Sequence, residues 1–275
     1  MSKYITILIG KRSNLTQAYI DKIGEAISIH SSDVTELKSI INNFSNVNII
    51  YNTFFQSSLL NDFDDPKKYS AYTFETLSEF ISICKENSKN INSLIYTSSS
   101  SVYGNNNSAS ETCDCKLLNL YSTMKLASEM FLREHIKNTP VKLIVARVFN
   151  MYGGRDNYSI VSKIATALNN NSELTISNQG NSIRDFIDIR DVVFIYSLLL
   201  RSNFSGTVNL STGRGMKIIE IINIAESVFG KQLKYLSKEK SEIDYSVGNT
   251  TKLKSIIGEF SFRDVKNYYA ELFSI

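Results

Sequence analysis

The segment IYTSSSSVYG at residues 95–104, taken with YSTMK at residues 121–125, decides both the fold and the site. The first segment is an apolar run, rich in β-branched and aromatic residues, that gives way to hydroxyl side chains. This pattern predicts a buried strand whose carboxyl end opens into a site. The second segment predicts a helix, on which Tyr121 and Lys125 would share one face, one turn apart.

This spacing of tyrosine and lysine has a chemical use. A tyrosine hydroxyl, with a pKa of about 10, is a poor acid or base at neutral pH unless its phenolate is favoured. A shift of about three pKa units needs about 4 kcal/mol, which a unit charge at about 4 Å supplies at an effective dielectric of about 20. A bare Y-x-x-x-K is more often a packed Tyr beside a snorkelling Lys. The hydroxyl-rich strand end upstream favours the catalytic interpretation.

These residues resemble the extended short-chain dehydrogenase/reductases that act on nucleotide sugars. In that family a Ser or Thr three residues before the Val of S-x-x-V-Y-G, followed by Y-x-x-x-K, forms the catalytic triad. The resemblance assigns this triad to Ser99, Tyr121 and Lys125. Further blocks follow in the family's order, namely ARVFNMYG at residues 146–153, RDFIDIRDVV at residues 184–193 and GTVNLSTG at residues 206–213.

The resemblance implies an α/β fold with a doubly wound, Rossmann-like parallel sheet that binds a dinucleotide at the carboxyl ends of its strands. Residues 1–150 would form the dinucleotide-binding domain, with residues of about 183–212 returning to it. Residues 151–275 would mostly form a smaller C-terminal substrate-binding lobe.

Hydrophobic periodicity predicts the elements of this fold. Strands are predicted at residues 5–9, 26–30, 47–51, 141–148, 174–176 and 206–210, and helices at residues 34–44, 160–168, 192–200 and 218–229. Asp65 before Pro66 predicts a capped helix start. Phe54 and Phe55 are bulky where the family has a small-residue turn beside the nicotinamide ribose. Residues 249–258 look like the family's last helical unit.

The segment GKRSNLT at residues 10–16 stands where the family has G-x-x-G-x-x-G. Glycine there lets the backbone approach the pyrophosphate, and the helix amino terminus favours its charge. Only Gly10 survives, with Ser13 and Thr16 at the second and third glycine positions, although both hydroxyls can still donate to phosphate oxygens. By resemblance, the cofactor contacts are assigned to Gly10, Arg12, Ser13, Asn14, Leu15 and Lys125.

Arg12 bears on which dinucleotide is used, because some family members hold the 2′-phosphate of NADP with an arginine in this turn. A surface arginine near a helix start is the alternative. At the end of the second strand an acidic residue would mark NAD, but Ser31 and Ser32 come first. Asp33 looks like a helix cap with Glu36 as its capping-box partner. NADP(H) is therefore favoured, and NAD(H) remains possible.

Four further residues are candidates for binding the nucleotide sugar. Ser100 and Ser101 follow the catalytic serine, and Asn150 stands where the family's Asn touches the substrate pyrophosphate. An Asn at a strand end is commonly only a turn former, so this assignment depends on the surrounding ARVFNMYG match. By resemblance, Arg184 would pair with a nucleotide phosphate through its planar fork.

The residues around the triad predict the reaction. Dehydratases of the family carry Asp-Glu directly after the catalytic Ser or Thr, and Ser100 and Ser101 cannot replace that pair near neutral pH. Enzymes that epimerise two carbons and then reduce use a Cys at the position of Ser101 and a His after the Asn block, both lacking here. The prediction is a reductase of a nucleotide-linked 4-keto-6-deoxy (or dideoxy) hexose, serving deoxysugar and surface polysaccharide (O-antigen) biosynthesis.

Two alternatives remain. A 4-epimerase would remove hydride and return it on the opposite face, and it must retain its dinucleotide through both half-reactions. Ser13 and Thr16 in the glycine turn favour release over retention. The alternative of another class is a catalytically silent subunit that binds a nucleotide sugar or a dinucleotide, suggested by the same altered turn.

Composition limits the other possibilities. The 275 residues are 43% apolar and 21% charged, as in a soluble globular protein, and a net charge of +3 is too small to indicate nucleic acid. The chain has three cysteines, Cys84, Cys113 and Cys115. The C-x-C spacing of the last two is too tight for the cysteine pairs of a zinc site, so no metal site is predicted. Without a signal-peptide core or a membrane-spanning run, a cytoplasmic protein is expected. The resemblance implies a homodimer.

Overall fold

The computed structural model describes residues 4–52 and 66–274. The predicted cap at Asp65 and the bulky Phe54 and Phe55 lie outside these residues. The strands are, in chain order, β1 Ile5–Ile9, β2 Ala26–Ile29, β3 Val47–Tyr51, β4 Ile91–Ser99, β5 Asn106–Ala109, β6 Lys142–Val148, β7 Asn150–Tyr152, β8 Leu174–Ser177, β9 Ile183–Asp188, β10 Gly206–Leu210, β11 Gly215–Lys217, β12 Tyr235–Lys238 and β13 Tyr245–Gly248. The helices are α1 Asn14–Ile23, α2 Glu36–Asn42, α3 Pro66–Glu86, α4 Leu120–Ile136, α5 Ile160–Asn170, α6 Ile189–Arg201, α7 Ile218–Phe229, α8 Thr251–Ile257 and α9 Val265–Phe273.

The predicted elements are present with some bounds shifted by a few residues, and two predictions need correction. The helix predicted at residues 34–44 is the shorter α2, which begins at Glu36 after a turn of 3₁₀ helix at Ser31–Asp33. The segment taken as the last helical unit forms α8, but α9 follows it, so that prediction was wrong. α9 starts at a side-chain cap, in which Asp264 Oδ1 accepts from Asn267 N at 2.8 Å.

The chain divides into two compact units. One comprises residues 1–102, 117–147 and 193–208, and the other comprises residues 103–116, 148–192 and 209–275. That they serve as a dinucleotide-binding and a substrate-binding part stays a prediction.

The first unit is built on a sheet whose described strands run in the order β10-β6-β4-β3-β1-β2. β1 pairs in parallel with β2 and β3, and β3 pairs in parallel with β4. Alternate strand residues face opposite sides, and both sides are covered: Ile7 and Ile49 pack in one cluster with α2, α3 and α4, while Leu8 and Ile50 are also fully buried. This is the doubly wound α/β sheet that the sequence predicts.

The second unit contains a sheet in the order β11-β9-β13-β5, with β7 pairing β9 in parallel. β8 and β12 form a separate parallel pair. The core of this unit is an apolar cluster in which α5, α7 and α9 supply most of the side chains. None of the helices in the described ranges is long and apolar enough to span a membrane.

Candidate active site

The strand-to-helix geometry brings the predicted triad together within the first unit. β4 ends at Ser99, and a 3₁₀ turn at Ser100–Tyr103 follows it. α4 begins through a capping box in which Asn119 Oδ1 accepts from Ser122 N at 2.9 Å. The cap places Tyr121 in the first turn of α4, and Lys125 follows one turn later.

The three side chains meet at the end of β4. The side chain of Ser99 lies beside the Tyr121 hydroxyl and, as a hydrogen-bond donor, favours its deprotonated form. Lys125 Nζ donates to the main-chain oxygen of Thr97 at 2.9 Å and lies 5.9 Å from the centroid of the Tyr121 ring. A carbonyl oxygen of a substrate or a product that lies at this strand end could therefore accept hydrogen bonds from both the Ser99 and the Tyr121 hydroxyl groups. The catalytic roles of these residues stay a prediction.

The charge states differ from the expectation that Lys125 lowers the pKa of Tyr121. Burial raises the pKa of Tyr121, and its hydrogen bond to Ser99 opposes this only in part. Burial also lowers the pKa of Lys125 to about 7, against the charge of Glu129, which raises it. The expectation was wrong for this arrangement because burial, the largest cause of the shift, outweighs the other effects on the pKa of Tyr121, and burial also lowers the pKa of Lys125 itself. Tyr121 therefore keeps its proton at neutral pH and can donate it.

The lowered pKa of Lys125 predicts how stability varies with pH. The pKa of a lysine is about 10.4 in an unfolded chain, whereas burial lowers the pKa of Lys125 to about 7 in the folded protein. Between these values the unfolded chain binds a proton that the folded chain lacks, so the free energy of unfolding rises with pH across that window. Across this window the free energy of unfolding of the unaltered protein should rise more steeply than that of Lys125→Met, by at most about 1.4 kcal/mol per pH unit. Urea unfolding of dinucleotide-free protein at pH 7.5 and at pH 9.5 measures this, and equal pH slopes would contradict it.

A buried ion pair behind Lys125 was not predicted. Arg147 donates to both carboxylate oxygens of Glu129, at 3.0 and 2.7 Å, and the Ser98 hydroxyl donates to the same carboxylate. Both charged side chains are almost fully buried. Two signals were available in the sequence, an arginine inside the apolar run of β6 and a glutamate one helical turn after Lys125.

The turn assigned to the cofactor is suited to an anion. Gly10 has a φ of 105°, and the N–H groups of Gly10 and Lys11 both donate to Ile29 O at 3.0 Å. Ser13 is the N-cap residue of α1, but its side chain makes no cap hydrogen bond in the described structure, and the first turn of α1 carries no acidic residue. Main-chain N–H groups at this helix start therefore fit a pyrophosphate. Leu15 is buried in the core, so it can offer only its main-chain N–H.

Two expectations about the cofactor site are corrected. Thr16 was expected to be able to donate to a phosphate, but it is fully buried and its Oγ1 accepts from Asn52 Nδ2 at 3.2 Å. It faces inward because it lies on the side of α1 that packs on the sheet. Asp33 was expected to cap a helix with Glu36, but it lies in the 3₁₀ turn and accepts from Ser32 at 2.7 Å.

The serines after Ser99 are placed at the same strand end. Ser100 is buried, and Ser101 donates its main-chain N–H to Ser99 Oγ at 3.2 Å. The Ser101 hydroxyl oxygen is buried without a hydrogen-bond partner among the described residues. A buried polar group without a partner carries a free-energy cost, which a ligand group could relieve.

The two remaining predicted substrate contacts lie in the second unit. Asn150 starts β7, and its Nδ2 donates to Asp185 O of β9 at 3.0 Å. Arg184, also on β9, donates to the main-chain oxygens of Ile183 and Asp244, at 3.0 and 3.3 Å. Burial lowers the pKa of Arg184, while the charges of Glu242 and Asp244 oppose this. Binding of substrate by Asn150 and Arg184 stays a prediction.

The chain is similar to curated nucleotide-sugar enzymes. It is 28% identical over 177 residues to an ADP-L-glycero-D-manno-heptose-6-epimerase of Alkalilimnicola ehrlichii, a match that covers 54% of this chain and 55% of the relative. It is 24% identical over 218 residues to a UDP-glucose 4-epimerase of Lactobacillus helveticus, covering 70% of this chain and 66% of that relative. The chain thus spans about half to two thirds of these relatives' length.

The fold is also similar to a solved structure, a UDP-glucose 4-epimerase of Thermus thermophilus in complex with NAD. The TM-score is 0.85, with 17% sequence identity, and the match covers 98% of this chain and 99% of that chain. At this identity the likeness shows the fold alone. A family model described as NAD dependent epimerase/dehydratase family matches residues 3–211, well over half of the chain. The chain therefore belongs to the NAD dependent epimerase/dehydratase family.

Proposed function

We propose that this protein reduces the keto group of a nucleotide-linked 4-keto-6-deoxy (or dideoxy) hexose, with NADPH favoured over NADH. The observation that carries the proposal is the meeting of Ser99, Tyr121 and Lys125 at the carboxyl end of β4. A proton donor and a second hydroxyl facing one carbonyl oxygen suit hydride transfer to that carbon.

Each residue of the triad has a separate role in this proposal. Tyr121 donates its proton to the substrate oxygen, and Ser99 hydrogen-bonds the same oxygen. Lys125 binds the nicotinamide ribose. When it is charged, it also stabilises the phenolate form of Tyr121 that remains after the proton has been donated. A bound reduced dinucleotide would supply the hydride. The main-chain N–H groups in the first turn of α1, together with the Ser13 hydroxyl, would hold its pyrophosphate.

Two observations support reduction over the family's other reactions. Ser100 and Ser101 lack the acid and base that dehydration needs. The pKa of Tyr121 is raised, which suits a proton donor, whereas the first half-reaction of an epimerase needs Tyr121 to accept a proton.

The second candidate is a nucleotide-sugar 4-epimerase. It is favoured by the similarity to the Lactobacillus helveticus UDP-glucose 4-epimerase. It is also favoured by the burial of Thr16, because this side chain does not reach the surface of the cofactor turn and so cannot loosen the binding there. Both candidates use the same triad.

The deciding experiment mixes purified protein with a 4-keto nucleotide sugar and NADPH, and follows cofactor oxidation and product by chromatography. One NADPH consumed per product supports the reductase. Interconversion of two non-keto nucleotide sugars by carried-over cofactor, with none consumed, supports the epimerase and overturns the reductase. Binding of dinucleotide with no turnover of either substrate type would indicate the silent binding subunit.

Cofactor preference gives a separate prediction. Arg12 is exposed in the turn before α1, where a guanidinium beside a 2′-phosphate makes charge-assisted hydrogen bonds worth about 1.5–3 kcal/mol. Arg12→Ala should therefore reduce the preference for NADPH over NADH by about one to two decades. Lys22→Ala, at the other end of α1, is the control and should leave the preference unchanged. Equal use of NADPH and NADH by the unaltered protein would contradict the role of Arg12.

The cellular role and assembly belong to the same proposal. A product of this kind is a deoxysugar precursor for a surface polysaccharide, made in the cytoplasm by a homodimer. Size-exclusion chromatography with light scattering tests the assembly, and a monomer at micromolar concentration would contradict it.

A further inference from the structure

A chain of buried side-chain hydrogen bonds connects the cofactor turn with Lys125 inside the first unit. It runs through Thr16 on α1, Asn52 after β3, Thr97 on β4 and Tyr196 on α6. None of these side chains is more than 1% exposed. Buried polar groups of this kind have a high free-energy cost unless all are satisfied, so their arrangement is strongly specified.

The direction of each bond follows from the donors available. The Thr97 hydroxyl donates to Asn52 Oδ1, so Tyr196 must donate to Thr97 Oγ1, at 2.7 Å. Asn52 Nδ2 donates to Thr16 Oγ1 at 3.2 Å, and the Asn52 main-chain N–H donates to Ile9 O at 2.7 Å. Asn52 is thus the member that joins β1, α1 and β4.

The two ends of this chain lie at the two places assigned to the dinucleotide. Thr16 is in the first turn of α1, whose N–H groups fit the pyrophosphate. Thr97 presents its main-chain oxygen to Lys125 Nζ at 2.9 Å. A shift of Asn52 would therefore move the start of α1 and the acceptor of the Lys125 ammonium together.

We propose that Asn52 is a positioning residue that holds the cofactor turn and Lys125 in register, through Thr16 and Thr97. The inference rests on the proposed function only in that a dinucleotide binds. It also explains how Thr16 is accommodated at the third glycine position, since its side chain packs on the sheet and Asn52 satisfies its hydroxyl.

The test compares Asn52→Leu with Asn48→Leu. Asn48 is a second buried asparagine, at the opposite end of β3, and its Oδ1 accepts from Asn92 Nδ2 at 3.0 Å. Both variants lose a buried amide of the same size, so both should unfold at lower temperature. Dissociation constants for NADPH and NADH are measured by nicotinamide fluorescence with no sugar nucleotide present.

We expect Asn52→Leu to raise the dissociation constant of the preferred dinucleotide by about tenfold, and Asn48→Leu to change it by less than about twofold. Turnover should fall for Asn52→Leu, and not for Asn48→Leu. Equal effects of the two variants on dinucleotide affinity would overturn the inference, because destabilisation alone would then account for both. Failure of 4-keto reduction alone would overturn the proposed function and leave this comparison standing.

A milder variant keeps the inference testable if Asn52→Leu does not fold. Thr97→Val removes the hydroxyl bonded to Asn52 and Tyr196 but keeps the main-chain oxygen that receives Lys125. It should weaken dinucleotide binding in the same direction. If the residues act as a unit, the double variant with Asn52→Leu binds no more weakly than Asn52→Leu alone. Fully additive losses, or no loss in Thr97→Val, would overturn the inference.

Discussion

Tyr121→Phe is expected to lower turnover by roughly 100-fold or more, because the substitution removes the proposed general acid and keeps the ring. Ser99 lies beside the Tyr121 hydroxyl, and burial raises the pKa of Tyr121, which keeps it protonated at neutral pH. The loss should appear in kcat more than in KM, since the proton is transferred in the transition state. Initial rates of NADPH oxidation at saturating 4-keto nucleotide sugar measure it, and urea unfolding checks that the fold is retained.

The matched control is Tyr269→Phe in the second unit. Tyr269 is fully buried, and its hydroxyl donates to Val161 O at 3.0 Å. Its loss should lower stability by about 0.5–1.5 kcal/mol, the net worth of a typical hydrogen bond, and leave turnover unchanged. Near wild-type turnover in Tyr121→Phe would remove Ser99, Tyr121 and Lys125 from the mechanism as a triad.

Glu129→Gln is expected to lower the free energy of unfolding by about 3–5 kcal/mol, the usual cost of breaking a buried ion pair from one side. The variant leaves the guanidinium of Arg147 buried without its carboxylate, and it removes the charged acceptor of the Ser98 hydroxyl. Equilibrium urea unfolding of the single variant against the unaltered protein measures the change.

Two further variants separate the buried charge from the general effect of losing a carboxylate. The double variant Glu129→Leu with Arg147→Met removes both charges and should be markedly more stable than Glu129→Gln. Glu86→Gln breaks the exposed pair with Lys38, at 2.8 Å, and should change stability little. A stability of Glu129→Gln equal to that of Glu86→Gln would contradict the importance of the buried pair.

Much of the fold could be predicted because its signals are local. The strands at residues 5–9, 47–51 and 206–210 have their predicted bounds, since each is a short apolar run. The four-residue spacing of Tyr121 and Lys125 placed them on one face of α4. The start of α2 at Glu36 was harder to predict, because a short 3₁₀ turn and a helix cap favour the same polar residues.

The candidate site was predictable in its residues but not in its charge states. The motifs named Ser99, Tyr121 and Lys125, and the structure brings them together. The direction of the pKa shift of Tyr121 depends on how much water the surrounding elements exclude, and no spacing in the sequence reports that. Desolvation is the largest cause for both Tyr121 and Lys125.

What the sequence by itself determined is the strands of the first unit's sheet, most of the helices, the family, and the three residues that meet at the end of β4, because periodicity and motif spacing act within a few turns or strand lengths. Only the tertiary structure decided the partners of the buried polar groups. Thr97 meets Asn52 across 45 residues and Tyr196 across 99. Such partners depend on which strands become neighbours and which helix covers each face, and a buried hydrogen bond forms only where that packing brings donor and acceptor within reach.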